Sequence, residues 1–202
     1  MVQPLYWIAG GLSWPLVGVP FRLHSEGREN LPDGGFVLAA NHTSNMDPWP
    51  LGLPLWPGRQ LRFVAKKELF NPILKPILYG GGAFPVRRGT GDREAIERAV
   101  ELVRDGEIVV MFPEGTRRSK GLRKRFEARP HTGAARIALL GDVPLVPAAI
   151  KGTDRLSRLG PFRVAYGKPI ELADLESLDA KSAANEATRR LMTAIGELEE
   201  SL

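Results

Sequence analysis

Short apolar runs punctuate this sequence: FVLAA at Phe36–Ala40, LRFVA at Leu61–Ala65, AFPV at Ala83–Val86, IVVMF at Ile108–Phe112, VPLVPAAI at Val143–Ile150 and FRVAY at Phe162–Tyr166. Each is too short for a typical helix, and turn-forming or charged residues flank them, so they read as buried strands. Helical patterns fall between them. Residues 92–104 place Ile96, Val100 and Val103 on one face, with Gly106 just past the end. Residues 133–140, GAARIALL, are apolar enough to pack on a sheet. Residues 181–200 set Leu191, Ile195 and Leu198 near one face of a polar, Ala-rich helix. Strands alternating with helices predict an α/β fold, with a largely parallel central sheet flanked by helices. A chain of 202 residues, 43% hydrophobic and 25% charged, is long enough for one such domain and too apolar for a disordered one.

The first charged residue is Arg22. Residues 1–21 are long enough to span a bilayer, but three prolines and three glycines interrupt them, Pro15 near the middle. They do not fit a secretory leader, having no basic start and no small-residue cleavage pattern. Tyr6, Trp7 and Trp14 suit a headgroup layer. The expectation is a membrane-associating N-terminal element over 1–21, two short apolar helices lying in the interface, followed by one domain over 22–202. The alternative is a segment folded onto the domain's own core.

Charge is unevenly spread. Residues 171–202 hold eight acids and three bases, a net of −5, which leaves +10 on the remaining 170 residues. Such a body favours an anionic partner: nucleic acid, acidic protein, phosphorylated substrate or anionic membrane. The absence of cysteine excludes a disulfide framework, a Cys-ligated metal and a thiol nucleophile. Three histidines (His24, His42 and His131) are too few for a His-rich metal site.

Three loops that follow apolar runs carry chemistry-bearing side chains, and strand ends are where such residues often sit. After FVLAA comes Asn41-His42-Thr43-Ser44-Asn45-Met46-Asp47. A carboxylate bonded to the imidazole Nδ1–H would fix the tautomer and leave Nε2 free to take a proton, which makes His42 and Asp47 a candidate general-base pair. Taken alone, the pair reads more simply as a helix start, Asp47 the N-cap and Pro48 the first helical residue. After IVVM comes Phe112-Pro113-Glu114-Gly115-Thr116-Arg117. Pro113 stops the strand and Gly115 permits a tight turn near a ligand. Thr116 adds a hydroxyl and Arg117 a planar fork suited to phosphate. Arg87 follows Gly81-Gly82-Ala83-Phe84-Pro85-Val86 and is either an anion ligand or a surface arginine. Lys66 and Lys67 end FVAKK as anion contacts or surface lysines. Pro48–Pro57, PWPLGLPLWP, reads as the wall of an apolar pocket, a bilayer contact or a core loop.

Together H-x4-D, G-x-x-F-x-x-R, F-P-E-G-T-R and V-P-x-V-P run in that order. In this combination the chain resembles the glycerophospholipid acyltransferase family over residues 20–170. RPHTGAARIALL also looks like that family's stretch between its third and fourth blocks, while Pro85 stands where an aliphatic residue is more usual. The resemblance implies transfer of a fatty acyl group from a thioester, acyl-CoA or acyl carrier protein, to the sn-2 hydroxyl of 1-acyl-glycerol 3-phosphate, giving phosphatidate. It implies no cofactor beyond that co-substrate, no metal and no acyl-enzyme. The last point agrees with the absence of cysteine and of a Gly-x-Ser-x-Gly elbow.

By the same resemblance His42 is the base and Asp47 its partner. Glu114 and Gly115 position the acceptor with Thr116 beside them, Arg87 and Arg117 hold the phosphate, and Lys66 assists. The expected place is the cytoplasmic face of the cell membrane, peripheral or monotopic, on an anionic surface. The run Arg117–Arg129, with seven bases and one acid, is a solvated loop, a carrier-protein contact or a lipid contact. Glycerol 3-phosphate, another lysophospholipid or a glycolipid are alternative acceptors. A basic nucleic-acid module explains the charge but not His42 and Asp47. No helix-turn-helix or aromatic RNA-binding signature stands out, so no nucleic-acid partner is expected. A hydrolase using the same pair on water is the remaining rival.

Overall fold

The first strand to be extended by a neighbour on each side is Phe36–Ala40, and the sheet is built outward from it. A computed structural model of the chain describes residues 4–66, 68, 70–72, 75–86, 92–115, 130–156 and 159–202. Among them, strands β1 (His24–Glu26), β2 (Phe36–Ala40), β3 (Leu61–Lys66), β4 (Ala83–Val86), β5 (Ile108–Met111), β6 (Leu145–Lys151) and β7 (Arg163–Tyr166) form one sheet in the order β1-β7-β6-β2-β5-β3-β4. The five strands from β6 to β4 run parallel. β7 pairs antiparallel to β6 and parallel to β1. Leu38 faces Val110 on one side and Val146 on the other.

The helices are α1 (Pro4–Ser13), α2 (Pro48–Gly52), α3 (Lys75–Gly80), α4 (Asp92–Arg104), α5 (Gly133–Gly141) and α6 (Ala180–Ser201). Successive β2 side chains point to opposite faces. Val37 and Ala39 join Val109, Leu145 and the apolar stripes of α4, α5 and α6. Phe36, Leu38 and Ala40 join Val110, Val146 and Ala148 under Leu51 and Leu55. Both faces are covered, which is why these strands are apolar throughout instead of alternating.

The sheet and flanking helices agree with the α/β expectation, with small shifts at the ends. β6 begins at Leu145 because the Pro144 carbonyl already accepts the Val37 N–H at 3.0 Å. Phe162 precedes β7 and bonds instead to Phe21, its N–H donating at 2.9 Å. α4 closes as expected: Gly106, at φ +83°, donates to Val103, and Glu107 to Leu102. β1 and α3 have no counterpart in the sequence reading. β1 is a three-residue edge strand, His-Ser-Glu, with no buried side chain, so it carries no apolar signal.

Residues 4–18 form α1 and one π-helical turn, Trp14–Gly18, closed by Val19 N–H donating to Trp14 at 3.0 Å. One side packs on the domain. A Cβ at Gly10 would overlap the Trp56 ring, and the Tyr6 hydroxyl donates to the Arg59 carbonyl at 2.9 Å. Val17 packs with Leu53 and Phe162. The other side leaves Trp7, Ile8, Leu12, Leu16 and Val19 half or more exposed. No helix among the described residues is long and apolar enough to cross a membrane.

Candidate active site

Six polar or charged residues among those described are buried, and four of them (Asn41, Asp47, Glu114 and Thr153) lie just past the C-terminal ends of β2, β5 and β6. Buried polar groups are costly unless bonded, so their convergence marks a built site. The loop leaving β2 leads to α2 on one face, and the chain leaving β5 leads to α5 on the other. A crevice at the carboxyl ends of parallel strands, where connections part to opposite faces, is the usual ligand position of an open α/β sheet.

His42 Nδ1 lies 2.7 Å from Asp47 Oδ2. Asp47 does not cap α2: its side chain makes no bond into that helix, although Pro48 does open it. Its carboxylate turns back instead. Oδ2 also accepts the backbone N–H groups of Thr43 at 2.8 Å and Ser44 at 3.0 Å. Oδ1 accepts the hydroxyls of Thr153 at 2.6 Å and Thr43 at 3.2 Å. Burial alone would raise the Asp47 pKa. The bonds from His42, the Ser44 backbone, Thr153 and the Thr43 backbone outweigh that effect and hold it below the ordinary carboxylate value.

An ionised carboxylate only accepts, so His42 Nδ1 carries the proton. The imidazole stacks on the Phe112 ring at 4.1 Å between centroids and 18° between planes. Its side chain is 20% exposed, against 0% for Asp47. No described residue bonds Nε2, which leaves that nitrogen open to accept a proton.

Asn41 ties the end of β2 to β6. Its Nδ2 donates to the Ile150 carbonyl at 2.9 Å and its Oδ1 accepts the Ile150 N–H at 2.7 Å. The Phe112 turn is tight: Gly115 N–H donates to the Phe112 carbonyl at 3.0 Å, with φ +66°. A Cβ at Gly115 would sit 2.5 Å from the His131 ring, so both the dihedral and the space call for glycine. Glu114 is buried beside this turn.

The structure thus brings together His42, Asp47 and, through Phe112, the turn bearing Glu114 and Gly115. Thr116, Arg117, Lys67 and Arg87 lie outside the described residues, as does the basic run through Arg129, and so does the side chain of Lys66. The Lys66 backbone ends β3 opposite Val86, the last residue of β4. Pro48–Pro57 is mainly core: Pro50, Leu51, Leu53, Pro54 and Leu55 are buried, whereas Trp49 is exposed. Thr153 and the ring contact of Phe112 were not picked out from the sequence. The aromatic directly before Pro113 was visible, but nothing local marks Thr153.

The fold is that of an α/β protein with a His–Asp pair at its strand ends, an arrangement chemically able to act as a base. The family described as Acyltransferase matches residues 22–151, and the chain belongs to it. It is 37% identical over 180 residues to the 1-acyl-sn-glycerol-3-phosphate acyltransferase of Bacillus subtilis, covering 87% of each chain. It is 30% identical to the chloroplastic 1-acyl-sn-glycerol-3-phosphate acyltransferase LPAT1 of Arabidopsis thaliana, over 86% of this chain, and spans about half (52%) of that relative. The crystal structure of the 1-acyl-sn-glycerophosphate acyltransferase PlsC from Thermotoga maritima has the same fold: TM-score 0.64, 24% identity, covering 96% of this chain and 78% of that one.

Proposed function

We propose that this acyltransferase moves a fatty acyl group from acyl-CoA or acyl carrier protein to the sn-2 hydroxyl of 1-acyl-glycerol 3-phosphate, giving phosphatidate. The observation that carries the reading is the 2.7 Å contact between His42 Nδ1 and a buried Asp47, with Nε2 left open. Two relatives named for this activity, one of them matched over 87% of its length, support the acceptor.

In the proposed reaction, His42 Nε2 takes the proton of the acceptor hydroxyl as its oxygen attacks the thioester carbonyl. The new C–O bond forms, the C–S bond breaks, and the proton passes from the imidazolium to the departing thiolate. Asp47 stabilises the imidazolium and holds its orientation. Base catalysis of this kind is worth roughly 10²–10⁴-fold, and positioning of the two substrates supplies much of the remainder. Glu114, Gly115 and Thr116 are assigned to acceptor positioning, and Arg87, Arg117 and Lys66 to its phosphate.

The exposed side of α1 and the following turn is assigned to the cytoplasmic surface of an anionic membrane, where acyl donors and lysolipids meet. Fully burying one large apolar side chain is worth about 1.5–3 kcal/mol, and this side leaves five of them open. The acidic stretch 171–202, which ends in α6, packs through Leu175, Leu191 and Ile195 on the opposite sheet face from α2, away from the support of α1.

Purified protein incubated with acyl-CoA and 1-acyl-glycerol 3-phosphate in anionic vesicles should yield phosphatidate. Free fatty acid alone, or transfer only to other acceptors, would contradict the proposal.

A further inference from the structure

We infer that Thr153 is a positioning residue for the reaction, aligning Asp47 so that its Oδ2 faces His42 Nδ1; this rests on the His42–Asp47 reading above. Thr153 is fully buried, and its hydroxyl is 2.6 Å from Asp47 Oδ1. It lies beyond residues 22–151, which match the family, and outside the four sequence blocks.

The terminal torsion of an aspartate is soft and roughly two-fold, so a donor at Oδ1 narrows the swing of the carboxylate and resists any rotation that would lengthen the bonds at Oδ2. His42, Thr43 N–H and Ser44 N–H all bond Oδ2. Among the described residues only hydroxyls bond Oδ1: Thr153 at 2.6 Å and Thr43 at 3.2 Å. The two threonine oxygens are themselves 2.7 Å apart. Thr153 gives its single proton to Asp47, and its oxygen is then free to accept from Thr43. Thr153 therefore supplies the short contact at Oδ1 that holds the carboxylate against rotation away from His42, while Thr43 can turn between two acceptors.

Its own position is firm. Thr153 follows β6 on a turn whose Gly152 has φ +93°, and a Cβ there would overlap the Pro161 carbonyl. Two residues before that turn, β6 is fastened to Asn41, the neighbour of His42, by both Asn41 amide bonds to Ile150. Asp47 thus receives a second reference point from a strand that β2 pairs with directly.

The test uses the full chain in the acyl-transfer assay, with Thr153→Val, Thr153→Ser, Thr153→Ala and His42→Ala. Thr153→Val keeps the shape and removes the hydroxyl. Its kcat should fall about 10- to 100-fold, the scale of a misplaced catalytic group, with KM for donor and acceptor within about threefold. Thr153→Ser should return kcat to within about threefold of wild type. The downfield proton resonance of His42 Nδ1–H should persist in wild type and Thr153→Ser and broaden in Thr153→Val. A folded Thr153→Val with wild-type kcat, or a Thr153→Ser as slow as Thr153→Val, overturns the inference. If Thr153→Val does not fold, Thr153→Ser must outpace Thr153→Ala, and equal rates overturn it. His42→Ala separates the two levels. Turnover retained there removes the His42–Asp47 reading itself, whereas a dead His42→Ala beside a fully active Thr153→Val removes only the role of Thr153.

Discussion

Asp47 concentrates the physical chemistry of the site in one carboxylate. It is buried and accepts from two backbone amides, two hydroxyls and an imidazole. Its pKa is lowered in the folded state, net of a burial effect that acts the other way. A carboxylate of this kind stabilises the fold above its unfolded pKa, about 3.9, and loses that contribution as pH falls toward the folded value. Asp47→Asn should therefore cost about 1–3 kcal/mol at pH 7, since the amide cannot accept at both oxygens. The gap to wild type should shrink as the pH drops below about 4. Urea unfolding of both proteins at pH 7 and pH 3.5 checks this; a gap that does not change with pH would contradict it. At this scale the sequence was half legible. His42 and Asp47 are five residues apart and carry their chemistry in their names. Thr153 is 106 residues from Asp47, and only the pairing of β2 with β6 makes them neighbours.

At the scale of elements, burial explains what could and could not be read. β2, β5 and β6 are sandwiched between two layers, so their apolar runs stand out. β1 has one free edge and a polar sequence, and nothing but tertiary context selects it as a strand. Asp47 was ambiguous for a related reason: a carboxylate before proline suits a helix cap, and the choice between cap and imidazole partner is made by the turn through Thr43 and Ser44. α1 has one side on Trp56 and Arg59 and the other open. That division makes the membrane assignment testable without unfolding the domain. Replacing Ile8, Leu12 and Leu16 together with serine should reduce co-sedimentation with anionic vesicles by about tenfold or more, given the apolar area removed. The melting temperature should move little, because those side chains are half or more exposed. Undiminished vesicle binding would send the assignment elsewhere on the surface.

For the whole molecule, the parallel sheet is what turns scattered sequence blocks into one site. β2, β5 and β6 are adjacent, so the residues after each of them meet: His42, Phe112 with its turn, and Thr153. β3 and β4 continue the same edge and end at Lys66 and Val86, so the basic residues assigned to phosphate follow strands of the same direction. Charge is partitioned along the sequence as well: residues 171–202 carry −5 and the rest of the chain +10, which suits an anionic partner. The central claim is that His42 makes the lipid hydroxyl nucleophilic. Its most direct measurement is phosphatidate formation by His42→Ala beside wild type, with binding of 1-acyl-glycerol 3-phosphate measured on the same samples. The expected result is a loss of kcat of about 10²- to 10⁴-fold with acceptor binding retained. A folded His42→Ala protein that forms phosphatidate at the wild-type rate would contradict it.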